Sequence, residues 1–144
     1  MQKRELNKIC ALILGGHVNG YSIIKELFEQ GIREIALFDP GKSIASCSNK
    51  IKYHSIIDKK SKTLLAEIKK LKYHYDFIVI FPTDDQHIRS LVDVFDEICN
   101  FCYLPFNQKN FIEISNKYFQ YKICEDIGVG YPKTFNIISI SDLD

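Results

Sequence analysis

Three polar stretches of this chain carry residue types that can do chemistry. The first is Gly15-Gly16-His17-Val18-Asn19-Gly20. It follows the apolar run Ile9–Leu14 and opens a helical pattern, so it reads as a tight turn between a buried strand and a helix. Backbone N–H groups left unpaired at such a turn converge with the positive end of the helix dipole, and together they attract an anion or a polar ligand. His17 adds an imidazole able to exchange a proton near neutral pH, with no partner assignable from the residues alone. The second stretch runs from Asp39 to Ser46, and Asp39-Pro40-Gly41 at its start puts a carboxylate at the end of a second apolar run. The third is Pro82-Thr83-Asp84-Asp85 with His87 close behind. Two acids and an imidazole suit a metal ion, but Asp84 as an N-cap and Asp85 at the favourable end of a helix dipole explain the same residues, and that reading is preferred. His54 and His74 sit in polar contexts and need no function. No Walker loop, nucleophile elbow or H-E-x-x-H is present.

The first turn also approximates G-x-G-x-x-G, with Asp39 near the position of a ribose-binding acid. The middle glycine is missing, however, and His17 stands where the backbone should approach a pyrophosphate closely. A turn that only connects strand to helix and a turn that contacts a small ligand are equally consistent with these residues. NAD binding ranks below both.

The elements that must position these stretches alternate. Ile9–Leu14 is continuously apolar, as in a parallel sheet covered on both faces. A helix is expected from about Asn19 to Gln30, with Ile23, Ile24, Leu27 and Phe28 on its inner stripe and Gly31 as a left-handed cap. A second strand covers Glu34–Phe38, and Lys42–Asn49 holds one short helical turn. A short strand lies around Tyr53, and a helix over Lys59–Lys72 turns Leu64, Leu65, Ile68 and Leu71 inward. Asp76–Phe81 is a further strand. One helix then carries Ile88, Leu91, Val92, Phe95 and Ile98. A strand at Phe101–Leu104, a short helix at Asn107–Ser115, a helix at Asn116–Ile127 capped by Gly128, and a strand at Phe135–Ile140 complete the series. Phe119, Ile123 and Ile127 form the expected inner side of the last helix. This alternation predicts an α/β fold: a Rossmann-like, doubly wound, mostly parallel sheet with helices on both faces. Ligands of such sheets bind at the carboxyl ends of the strands, where all three polar stretches fall.

The bulk properties narrow the function. At 144 residues and a net charge of +1, the chain suits one compact domain and offers no bulk field for nucleic acid or an anionic membrane. No apolar run is long enough to span a bilayer. Met1–Lys8 is polar and lacks the apolar core of a signal peptide, and the five scattered cysteines read as reduced thiols, so a cytoplasmic protein is expected. Cys99 and Cys102 form a lone C-x-x-C, for which packing is favoured over metal or redox work.

The ordered series of Leu14-Gly15-Gly16-His17-Val18-Asn19-Gly20, then Phe81-Pro82-Thr83-Asp84-Asp85, then Ser115-Asn116-Lys117-Tyr118 through Gly128-Val129-Gly130-Tyr131-Pro132-Lys133-Thr134 resembles the N-terminal, pre-ATP-grasp part of ATP-grasp ligases. The likeness is greatest to carboxylate–amine ligases such as D-aspartate ligase and to relatives of the carbamoyl-phosphate synthase large subunit. It covers nearly the whole chain and implies a Rossmann-like domain over residues 1–114, followed by a linker helix and first strand over 115–144 that lead into an ATP-grasp module. In that family ATP phosphorylates a carboxylate and an amine attacks the acyl phosphate. The resemblance implies that Gly15, Gly16, His17, Asn19, Gly20, Asp39, Thr83 and Asp85 line the wall of a small-molecule carboxylate or amine site. It makes Lys117 a nucleotide contact, a role that ranks evenly with that of a solvated lysine.

Two departures accompany the likeness. Asn116 stands where the family commonly has aspartate. The second lysine, the flexible glycine-rich loop and the acidic Mg²⁺ ligands of the ATP-grasp module are not found among these residues. ATP and Mg²⁺ are therefore expected only for a full-length enzyme. The chain by itself is expected to be inactive, as a fragment, a subunit of a split ligase or a degenerate remnant whose partner is the missing module. Self-association as a homodimer through apolar surface meant for that module is also expected. The competing expectations are a Rossmann-type nucleotide-binding regulatory module and a plain interaction domain that binds no small molecule.

Overall fold

A computed structural model describes residues 8–58 and 60–132, apart from the side chain of Ile112. The expected strand at Phe135–Ile140 lies outside the described residues. The chain divides into two compact units, Met1–Pro105 and Phe106–Asp144.

The first unit is built on a five-stranded sheet. Its strands are β1 (Ile9–Leu14), β2 (Ile35–Asp39), β3 (Tyr53–Ile56), β4 (Phe77–Pro82) and β5 (Cys102–Tyr103). Their spatial order is β3-β2-β1-β4-β5, and every pairing is parallel. The fold is Rossmann-like. β1 lies centrally because the chain first steps outward through β2 and β3, then crosses back to place β4 on the other flank of β1. Right-handed crossovers in opposite directions put helices on opposite faces. Burial follows the pleat accordingly. Ala11, Ile13, Ile35 and Leu37 pack with Ile24 of α1 (Val18–Glu29) and with Ala45. The alternate residues Cys10, Leu12, Leu14, Ala36, Phe38, Ile78 and Ile80 are buried on the other face, as are Leu64, Ile68 and Leu71 of α2 (Ser61–Lys72) and Leu91 of α3 (Asp85–Asp93). α2 and α3 pack against each other.

Several expectations are corrected at element scale. The helix expected to run unbroken to Ile98 is two helices, α3 and α4 (Phe95–Ile98), separated at Val94. Val94 has φ −115° and ψ 15° and is buried, and its N–H donates to Leu91 three residues back, 3.3 Å away. The chain thus leaves the α-helical ladder to keep this β-branched side chain in the core. The Phe101–Leu104 strand is only two residues long, because Leu104 runs straight into Pro105 and pairing ends at Tyr103. Leu65 is half-buried, whereas Glu67, with no apolar signal, is buried.

The second unit holds a 3₁₀ turn at Gln108–Asn110, α5 (Phe111–Ile114) and α6 (Lys117–Asp126). Asn116 caps α6, its side chain accepting from the Tyr118 N–H at 3.0 Å. Gly128 terminates it at φ +70°. The expected inner side of α6 is not buried: Ile123 and Ile127 are exposed and Phe119 is half-buried. Their spacing is helical, but α6 brings no residue into a core.

Candidate functional site

The carboxyl edge of the sheet collects most of the residues singled out from sequence. Gly15 and Gly16 follow β1. His17 is the N-cap of α1, with Asn19 and Gly20 in its first turn. Asp39 is the last residue of β2. Thr83 follows β4, and Asp85 begins α3. In a 3-2-1-4-5 sheet the topological switch point lies between β1 and β4, so the Gly15 turn and the Thr83 turn meet where such folds bind ligands.

Three close approaches define the local geometry, and two of them, at Gly15 and Gly20, require glycine. Gly15 has φ +89°, and a Cβ there would lie 2.5 Å from Thr83 Oγ1 and 2.9 Å from His87 Cε1. The Thr83 hydroxyl donates to the Leu14 carbonyl at 2.6 Å, while the Gly15 N–H donates to Phe38 at 2.8 Å, which pins the turn to both neighbouring strands. A Cβ on Gly16 would overlap Ser43 Oγ and Asp39 Oδ2 and press on Ala45. A Cβ on Gly20 would overlap the Gly15 carbonyl oxygen, so the first turn of α1 lies directly on the loop.

Asp39 is 2% exposed, and its Oδ2 has no hydrogen-bond partner. The segment after β2 holds a short turn in which Ser43 and Ser46 exchange side-chain to backbone bonds. Ala45 ties this turn to the glycine loop, its N–H donating to the Gly16 carbonyl at 3.0 Å. The first turn of α1 has no acidic residue and no side-chain cap. By contrast, α3 is capped by Asp84, whose Oδ1 accepts from the His87 N–H at 2.9 Å.

His87 was singled out from sequence only as a metal ligand or a solvated residue at a helix start. It is 5% exposed, sits against Gly15, and places Nδ1 at 3.2 Å from Asp84 Oδ1. Asp85 and Asn19 are exposed, as is His17. Lys117, first residue of α6, is exposed in the other unit. Ser43 and Ala45 fall within the Asp39–Ser46 loop expected at this edge but were not singled out within it. Their roles come from a loop folding back across the β2 end, and no local pattern marks that.

Among the described residues, no group of three or more His, Cys, Asp or Glu side chains is arranged to hold a metal ion. Cys99 is exposed, and burial pushes the Cys102 thiol up to about 12, which keeps it protonated at neutral pH. Among the described residues, no helix is long and apolar enough to cross a membrane.

No family model matches the chain, and no curated protein was found to match it.

Proposed function

We propose that this chain is the N-terminal, substrate-side domain of an ATP-dependent carboxylate–amine ligase of the ATP-grasp type. The observation that carries the reading is the convergence of the Gly15–Gly20 turn and the Thr83–Asp85 turn at the switch point, beside a buried and unpartnered Asp39 carboxylate oxygen. Two loops of the resembling motif series, some seventy residues apart in sequence, thus form one polar wall suited to a small substrate. On this reading, ATP chemistry belongs to a module supplied in cis or by a partner subunit. Lys117 is this chain's own contribution toward the nucleotide. A cytoplasmic setting belongs to the same reading and is supported by five free thiols.

The dinucleotide alternative is weakened by one feature. Asp39, Ser43 and Ala45 all lie directly against Gly16, which closes the lane a nucleoside sugar would need between a glycine turn and the acid ending the second strand. Thermal melting with NAD, NADP and adenine nucleotides tests this. NAD and NADP are expected to leave the melting temperature unchanged. Stabilisation by NAD alone would favour a dinucleotide-binding regulatory module, because a ligand that binds only the folded state raises its melting point.

A further inference from the structure

We propose that the sheet face carrying α1 is a docking surface for a second copy of this chain, and that its occupant is the partner copy's α6. The inference does not rest on the ligase reading. Neighbouring strands lie about 4.8 Å apart and a helix with its side chains is about 10 Å across, so each helix covers roughly two strands. Five strands therefore take two helices on each face. One face has them, α2 and α3, and its β4 residues Ile78 and Ile80 are 0% and 1% exposed. On the other face α1 packs over β1 and β2, where Ala11, Ile13, Ile35 and Leu37 are buried. Phe77, Val79 and Phe81 share this face, in register with Ile9, Ala11 and Ile13, yet are only half-buried. Tyr103, beside Val79 on β5, is exposed. This face is one helix short.

Over β1 and β4 the face holds an open groove of about 270 Å³, lined by Ile9, Ala11, Leu27, Ile32, Val79 and Phe81. Leu27 of α1 forms one wall, and among the described residues no second helix of this unit lines the other. Every lining side chain is hydrocarbon, so the groove suits an apolar stripe rather than a polar ligand. α6 carries such a stripe. Phe119, Ile123 and Ile127 recur every four residues on one side of it, and Ile123 and Ile127 are exposed. The lengths agree: the helical rise from Phe119 to Ile127 makes about 12 Å, and the strand from Phe77 to Phe81 makes about 13 Å. Three apolar anchors in one groove bury less than the roughly 1,200–2,000 Å² of a stable interface. A two-fold pair, in which each copy gives its α6 and receives its partner's, makes that contact twice and closes on itself.

The test is sedimentation equilibrium of the full chain from low micromolar to millimolar concentration, with native circular dichroism required of every variant. The native chain is expected to dimerise reversibly. Ile123→Glu on α6 and Ile32→Lys at the groove rim should each weaken the dimer at least about tenfold, because a charge would enter an apolar contact. The two variants mixed should recover the dimer. The intact α6 of one then meets the intact groove of the other, and the two altered surfaces meet as Glu against Lys. A groove-to-groove dimer would be indifferent to Ile123→Glu, and an α6-to-α6 dimer to Ile32→Lys. The proposal is overturned by a chain that stays monomeric at millimolar concentration, by a dimer that either variant leaves intact, or by a mixture no tighter than the separate variants. Growth beyond the dimer would also overturn it, since a reciprocal pair closes. Should Ile32→Lys fail to fold, Ile9→Lys, at the exposed start of β1 in the same groove, takes its place.

Discussion

Gly20 and Gly31 would respond differently to a methyl group, and the difference separates close packing from backbone preference. At Gly20 the new Cβ overlaps the Gly15 carbonyl oxygen, so helix and loop must move apart. Gly20→Ala is expected to cost more than about 3 kcal/mol in urea unfolding. Gly31 has φ +90° and nothing within 4 Å of a Cβ. Gly31→Ala should therefore cost only about 1–2 kcal/mol, from the left-handed backbone alone. The spacing of Gly15, Gly20 and Asp39 was legible in the sequence because it reflects a local strand–turn–helix geometry. Ser43 and His87 were not, because each meets the glycine turn through a contact made only when distant loops converge.

A second residue-scale test concerns Glu67. Burial pushes its carboxyl upward, but bonds from Lys70, Ser55 and Tyr53 outweigh this and hold it below the usual glutamate value. A folded-state value below the unfolded one gives stability that is complete above the unfolded pKa of about 4.3. That contribution is lost as pH falls through the folded value. Glu67→Gln should cost about 1–3 kcal/mol at neutral pH. The gap between native and variant chains should close between about pH 5 and pH 3, as checked by urea melts at each pH.

At the scale of elements, alternation of apolar strands with amphipathic helices was readable because burial on both sheet faces leaves continuous apolar runs. Boundaries were less readable where tertiary packing overrode the helical period. Val94 breaks α3 from α4 to stay buried, and α6 shows a regular apolar spacing yet buries nothing. The cap of α3 is a local device and was correctly legible. Asp84→Ala should cost about 1 kcal/mol or more, since it removes the acceptor for the His87 N–H. A further link joins the β2 entry to the segment before β4: Tyr75 donates to Glu34 at 2.9 Å, and Lys52 also pairs with Glu34. Burial, then this bond, raises the Tyr75 hydroxyl pKa above the ordinary tyrosine value. The stability it confers is complete below the unfolded pKa of about 10 and is lost as pH rises through the folded value. Tyr75→Phe should flatten that alkaline loss, as read from melting temperatures between about pH 9 and pH 12.

At the scale of the whole molecule, the alternation of elements predicted a mostly parallel sheet but not the order of its strands. Alternating elements allow many arrangements, and the right-handed crossover rule reduces them to few. The unit Met1–Pro105 contains all five strands of the sheet and the helices that cover it. A chain ending at Pro105 should therefore melt cooperatively, and a broad, non-cooperative transition would contradict this. Its carboxyl edge holds every expected substrate-wall residue, from Gly15 to Asp85. The proposed ligase function makes that edge one wall of a site completed by an ATP-grasp module. The most direct measurement is ADP release by this chain together with such a module, in cis or as a partner subunit, across a panel of amino acids. The expected result is ADP formation that requires an amino acid and falls sharply in Gly16→Ala, whose methyl group would overlap Ser43 and Asp39. No ADP release with any acceptor, or release indifferent to Gly16→Ala, would contradict it.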